Sequence, residues 1–262
     1  MSALMLLSGV LSLAACAGGQ GVDIPNNDSA ALVEALRQAN ANAGHTTIHL
    51  ARNGFYILAD EAEPGLLLPT MDGRVTIEGN HAEIRGYSAS PAAILEVAKD
   101  ADVRLRNLVL AEGTDGAVRN YGLLRLSRVA IVDSSVDRMP AILLNHGRIK
   151  ATESEIAYNL LLATPRDAGT VLNYGEMELT GTRIHDNRAL GRKPSVAVSG
   201  GILNFGSVIA DGLRLEDNQL PTDDAPGLSF GGILNLGNGT VTGLAPAESV
   251  RNANHPQAYA KL

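Results

Sequence analysis

Four side chains in this chain of 262 residues have the types and the spacing for acid–base chemistry: Arg183, His185, Arg214 and Glu216. Arg214 stands 31 residues after Arg183, and Glu216 stands 31 after His185. If 31 residues make one turn of a repeating structure, the four form an outward two-by-two patch with rows about 4.8 Å apart. Two adjacent guanidiniums could hold a carboxylate of an acidic polysaccharide, with Glu216 or His185 as proton acceptor. That is the chemistry of a polysaccharide lyase or glycoside hydrolase. The competing reading is a solvated face whose charges pair across strands. The four are therefore candidates, and none is assigned a catalytic role. His185-Asp186-Asn187 and Glu216-Asp217-Asn218 also place carboxylates where a hard cation could bind, but a turn at each asparagine explains them better. No His/Cys cluster has zinc spacing. No metal and no cofactor is expected.

Two further chemical signals are local. His146-Gly147-Arg148-Ile149-Lys150 looks like two fragments of the polygalacturonase signature run together. That family carries them on separate coils beside paired aspartates, whereas here they are contiguous and no such aspartates precede them. Stacking of His146 among aromatic rings is the better reading. Cys16, the one cysteine, follows Leu13-Ala14-Ala15 and an uncharged apolar stretch. The stretch is too short to favour a spanning helix and suits a secretory signal. Leu13 to Cys16 resembles the bacterial lipobox, which implies lipidation of Cys16 and a membrane anchor. Ala17 after the cysteine implies sorting to the outer membrane. No Lys or Arg precedes the apolar run, so whether the true start lies upstream stays open.

The elements that position these residues are read from a repeat. Val118-Arg119-Asn120-Tyr121-Gly122 returns as Leu143 to Gly147, Val171 to Gly175, Ile202 to Gly206 and Ile233 to Gly237. Asn120, Asn145, Asn173, Asn204 and Asn235 are separated by 25, 28, 31 and 31 residues. A fixed motif with elastic spacing marks a solenoid whose insertions bulge as loops. Leu124, Ile149, Met177 and Val208 lie four residues past each asparagine, and Leu126, Ala151, Leu179 and Ala210 lie six past. The alternation is that of a half-buried strand. Ile131, Ile156, Ile184 and Leu215 form a third apolar column, followed by Ser134, Asn159, Asn187 and Asn218 at a second turn. Asparagine suits both turns and can form amide ladders from coil to coil.

The fold expected is all-β, a single-stranded right-handed parallel β-helix of about seven coils. Earlier coils fit the register with Lys99 and Met71 in the asparagine slot. A leucine-rich solenoid is the rival, but a separate apolar strand precedes each asparagine motif and the gaps of 31 lie beyond its 20–29-residue period. With 28 glycines, 3% aromatics and no Trp, the composition suits a narrow bore. Asp28-Ser29 offers an N-cap, and Leu32, Ala35, Leu36 and Ala39 recur at helical spacing. They predict a helix of about 14 residues that plugs the N-terminal bore.

The segment Leu32 to Asn40, followed by Thr47-Ile48-His49-Leu50 and Gly54 to Leu58, resembles the start of bacterial right-handed β-helix proteins with a Cys-Ser-Leu-Arg-Glu-Ala-Ile signature. That group includes relatives of the chlamydial polymorphic outer membrane proteins. Ala30, Ala31 and Val33 depart from that signature. With Gly200-Gly201-Ile202 and Gly231-Gly232-Ile233 the resemblance covers residues 28–243. It implies the fold and a surface or secreted location, and carries no catalytic residue across.

The domain reading is then 1–15 signal peptide, 16–27 tether, 28–243 β-helix with its cap helix, and 244–262 a polar tail over the C-terminal bore or without order. Loops at 160–169, 188–199 and 219–230 occupy one slot of the repeat and so one side of the rod. They carry Arg166, Asp167, Arg188, Arg192, Lys193, Asp223 and Asp224, and one-sided loops commonly make a binding face. A net charge of −7 without a basic stripe argues against nucleic acid. The expectation is an outer-membrane lipoprotein, on the periplasmic face or the cell surface, that adheres to or binds a polysaccharide or an envelope protein. The alternative is the enzyme described above.

Overall fold

The computed structural model describes residues 20–162, 167–190, 197–220, 229–244 and 250–253. Its architecture is a parallel β-solenoid of about seven turns with one helix. That helix spans Ser29–Ala41, where the Asp28 side chain accepts a hydrogen bond from the Ala31 N–H at 2.9 Å. This cap satisfies one of the N–H groups that a helix start leaves orphaned. Leu32, Ala35, Leu36 and Ala39 face inward and join the same apolar core as Ile48, Val75 and Ile77. The helix therefore covers the first rungs, as its apolar spacing requires. Asn40 ties it down by donating to the Thr70 carbonyl at 2.6 Å.

Three parallel sheets run along the rod. The longest stacks, in order, Gln20–Ile24, His45–Leu50, Arg74–Gly86, Asp102–Ala111, Leu123–Val132, Arg148–Thr152, Glu176–Thr180, Ser207–Asp211 and Thr240–Thr242. The second stacks Leu95–Val97, Val118–Asn120, Ala141–Asn145, Ala168–Asn173, Val198–Asn204, Ile233–Leu236 and Val250–Ala253. Ser135–Val136, Leu160–Leu161 and Arg188–Ala189 make a short third sheet. In the long sheet Leu124, Ile149, Met177 and Val208 pair in register, as do Leu126, Ala151, Leu179 and Ala210. All eight are buried. They fill the bore with dry apolar contact, the dominant favourable term.

Three expectations need correction. Gln20–Ile24, read as part of a tether, is a strand paired with Thr46 to Leu50. Its Val22 and Ile24 continue the apolar columns across the rod's first edge. The asparagine slot before Asn120 holds Val97, which pairs with it, and not Lys99. The turn after Val97 is two residues longer than the one after Asn120, because Val103 pairs with Leu124, so counting back from the next strand misses the slot. Val250–Ala253, read as tail, is a further strand, with Asn252 opposite Asn235. The signal peptide, Cys16 and Ala17, as well as Arg166, Arg192, Lys193, Asp223, Asp224 and the tail beyond 253, lie outside the described residues.

Candidate functional site

The asparagine motif builds two hydrogen-bonded ladders. Asn120 donates to the Oδ1 of Asn145, Asn145 to Asn173, Asn173 to Asn204 and Asn204 to Asn235, each at 2.7 Å. At the second turn Asn159 donates to Asn187, and Asn187 to Asn218, each at 2.9 Å. Each oxygen of this ladder also takes the backbone N–H of the coil before it, as Asn159 Oδ1 does from Ser134 at 2.9 Å. The first ladder ends at Asn120, whose buried Oδ1 has no partner among the described residues, because Val97 fills the next slot. Outside the first ladder Tyr121, His146, Tyr174 and Phe205 stack with ring centroids 5.4, 4.8 and 5.1 Å apart. His146 is thus held by neighbouring rings, and burial pushes its pKa down. These residues position the coils.

The four chemical candidates do meet. Arg183 pairs in register with Arg214, and His185 with Glu216. The patch they make differs from the one expected. Arg183 forms an ion pair with Glu216 at 3.2 Å, so the carboxylate nominated as a base is taken by the guanidinium nominated to hold substrate. Arg214 makes no ion pair among the described residues. His185 is buried rather than open. The Tyr158 ring meets it edge-on at 5.6 Å. Its Nε2 bonds Glu155 at 2.5 Å and its Nδ1 bonds Asp186 at 2.7 Å. Strand alternation aims His185 outward correctly, but alternation says nothing of what lies over it. Tyr158 and Glu155 come from the preceding coil, and Tyr158 sits at a left-handed turn position, φ 59°. Asp186 and Asp217 occupy the same turn position, φ 52° and 51°, as the turn reading of the two triplets requires. Among the described residues no group of three or more His, Cys, Asp or Glu could hold a metal ion.

Carboxylates accept and do not donate, so both ring nitrogens of His185 carry protons when both bonds are made. Burial alone would lower its pKa, but the hydrogen bonds to Asp186 and Glu155 outweigh burial and raise it. A raised folded pKa contributes stability that is fully present below the unfolded value, about 6.5. That contribution is lost as pH rises through the folded value. Urea midpoints measured from roughly pH 5 to 9 should therefore fall on the alkaline side in wild type. The fall should be shallower in His185→Gln. Parallel curves for the two proteins would show that His185 adds no pH dependence.

Elsewhere the outer face of the long sheet is a run of cross-coil ion pairs. Arg106 meets Glu78 at 2.6 Å, Arg148 meets Glu176 at 2.6 Å, and Lys150 meets Glu178 at 2.6 Å. Asp102 is shared by Arg104 and Arg125. Such exposed pairs are each worth about 0–1 kcal/mol. Their use is to keep register and to leave little net charge on the face. Of the three loops, the described flanks share one slot: Leu161 lies beside Ala189, and Ala168 beside Val198. Asp167 accepts from the Ala197 N–H at 2.8 Å across that gap, and Arg188 is exposed.

No family model, no curated protein and no solved structure matches this chain.

Proposed function

We propose that this protein is a binding scaffold of the bacterial envelope, a β-solenoid lipoprotein that displays a one-sided loop face to a glycan or a partner protein. The observation that carries the reading is the pairing of outward charge. Arg183, Glu216, Glu155, His185 and the Arg/Lys–Glu/Asp rows above them neutralise one another. An active carboxylate needs to be free to take a proton at the reacting centre, and Glu216 is bound to Arg183 instead. A lyase assay on polygalacturonate and alginate, following unsaturated uronide by absorbance, should give no turnover. Turnover lost in Arg214→Ala would restore the enzyme reading.

The anchor is tested separately. Among the described residues no helix is long and apolar enough to cross a membrane, and the proposed attachment is lipid on Cys16. Wild type expressed in a bacterium with lipoprotein processing should fractionate with membranes and incorporate labelled fatty acid. Cys16→Ser should appear in the soluble fraction without label. A wild-type protein that stays soluble and unlabelled removes the anchor from the proposal.

A further inference from the structure

Beyond the asparagine turns and the candidate patch, one cleft combines an aromatic platform with polar side chains. It lies where the chain leaves Arg74–Gly86 for the loop that precedes Leu95–Val97. Its volume is about 540 Å³ and its wall includes Tyr87, Ser88, Glu112, Thr114, Asp133 and Ser135. That volume falls in the range of small-ligand sites, roughly 300–1,000 Å³. The loop is fastened rather than loose. The Tyr87 N–H donates to the Leu58 carbonyl at 2.8 Å, and Thr114 Oγ1 accepts from the Ala92 N–H at 3.1 Å and donates to the Ser90 carbonyl at 3.3 Å.

Tyr87 is 72% exposed, the most of any large apolar side chain described. Tyr121 and Tyr174 are also exposed, but their rings are stacked in the aromatic column. Tyr158 lies against His185. Among the described residues Tyr87 makes no ring contact of this kind, and its ring face is open. In the same cleft Asp133 is exposed and makes no ion pair or side-chain hydrogen bond among the described residues. Glu112 is set by an ion pair with Arg85 at 3.1 Å. The cleft thus joins an apolar plate to carboxylate acceptors and hydroxyl groups; its described lining holds no Lys or Arg, and neighbouring Arg85 is paired with Glu83 and Glu112.

We infer that this cleft is a binding site for uncharged hexose units of a glycan, with Tyr87 stacking on a sugar ring and Asp133 and Glu112 accepting from its hydroxyls. A pyranose ring has one apolar face of C–H groups and a rim of donors, and the site presents the complement of both. The inference deepens the binding-scaffold reading and rests on it.

The test uses the full chain and saturation-transfer NMR with titration calorimetry. The probes are tetrasaccharides of β-1,4-glucose, α-1,4-glucose, β-1,3-glucose, β-1,4-mannose and β-1,4-N-acetylglucosamine, with tetralysine as a cationic control. At least one saccharide should bind with a Kd of about 1 mM or tighter. Tyr87→Ala should weaken it by about five- to tenfold, and Asp133→Ala by about tenfold or more. Arg214→Ala should leave it unchanged. All three variants alter exposed side chains, and their unfolding midpoints provide the folding control. Binding to none of the saccharides, wild-type affinity retained in Tyr87→Ala and Asp133→Ala, or tighter binding of tetralysine than of any saccharide overturns the assignment. A membrane-bound protein that binds no saccharide fails the cleft alone. A saccharide-binding protein found soluble and unlabelled fails the anchor alone.

Discussion

Gly175→Ala should destabilise the solenoid by about 3 kcal/mol or more, at the upper end of what overpacking costs. A Cβ at this position would be driven into the Gly147 carbonyl of the coil below, far inside any real contact distance. That carbonyl cannot retreat easily, since it accepts the Glu176 N–H at 2.9 Å. The same collision recurs up the column, with Gly147 against Gly122 and Gly206 against Gly175. This is why the motif ends in glycine at each of these coils. Gly237→Ala supplies the control. It sits at φ 60°, and among the described residues nothing lies within 4 Å of where its Cβ would stand, so it should cost only the left-handed backbone strain, about 1–2 kcal/mol. Urea midpoints by circular dichroism separate the two effects. Equal losses at Gly175 and Gly237 would mean that close approach of the coils is not what selects glycine.

Asn173→Ala should cost about 1–3 kcal/mol, the penalty for leaving buried polar groups without partners. Asn173 is fully buried. Its amide nitrogen donates to Asn204 Oδ1 at 2.7 Å and to the Gly175 and Ser207 carbonyls at 3.2 Å each. Its oxygen accepts from Asn145 at 2.7 Å and from the Gly175 N–H at 3.2 Å. Alanine removes both halves at once and interrupts the ladder in its middle. Asn120→Ala, at the ladder's end, should cost less, because the Asn120 oxygen is already without a partner among the described residues. An unchanged midpoint in Asn173→Ala, or a larger loss at Asn120 than at Asn173, would contradict the ladder as a source of stability.

A solenoid writes its period into the chain because each turn puts the same position into the same surroundings. The asparagine ladders, the aromatic column and the apolar columns of the long sheet were therefore legible from residue types and spacing alone. So was the cap helix, whose start and buried stripe are local properties of Asp28 to Ala39. What broke the period was not legible. The turn after Val97 carries two additional residues, so counting by the period points to Lys99 for the slot before Asn120. Asn252 follows Asn235 by only 17 residues, too short a gap to read as a coil, yet the two pair.

The sequence by itself determined which residues share a column and which point outward, because register and alternation are the two regularities that stacked strands impose. It placed Arg183 beside Arg214 and His185 beside Glu216. Only the tertiary structure decided what those neighbours do. Arg183 reaches diagonally to Glu216, and His185 is closed in by Tyr158 and Glu155 from the coil before. Long side chains choose among several partners within reach, and that choice depends on distance and burial rather than on period. The Tyr87 cleft belongs to the same class. Gly86 to Ala89, Glu112 to Thr114, Asp133 and Ser135 come from three separate turns, and no motif links them. They meet because the solenoid stacks those turns on one another.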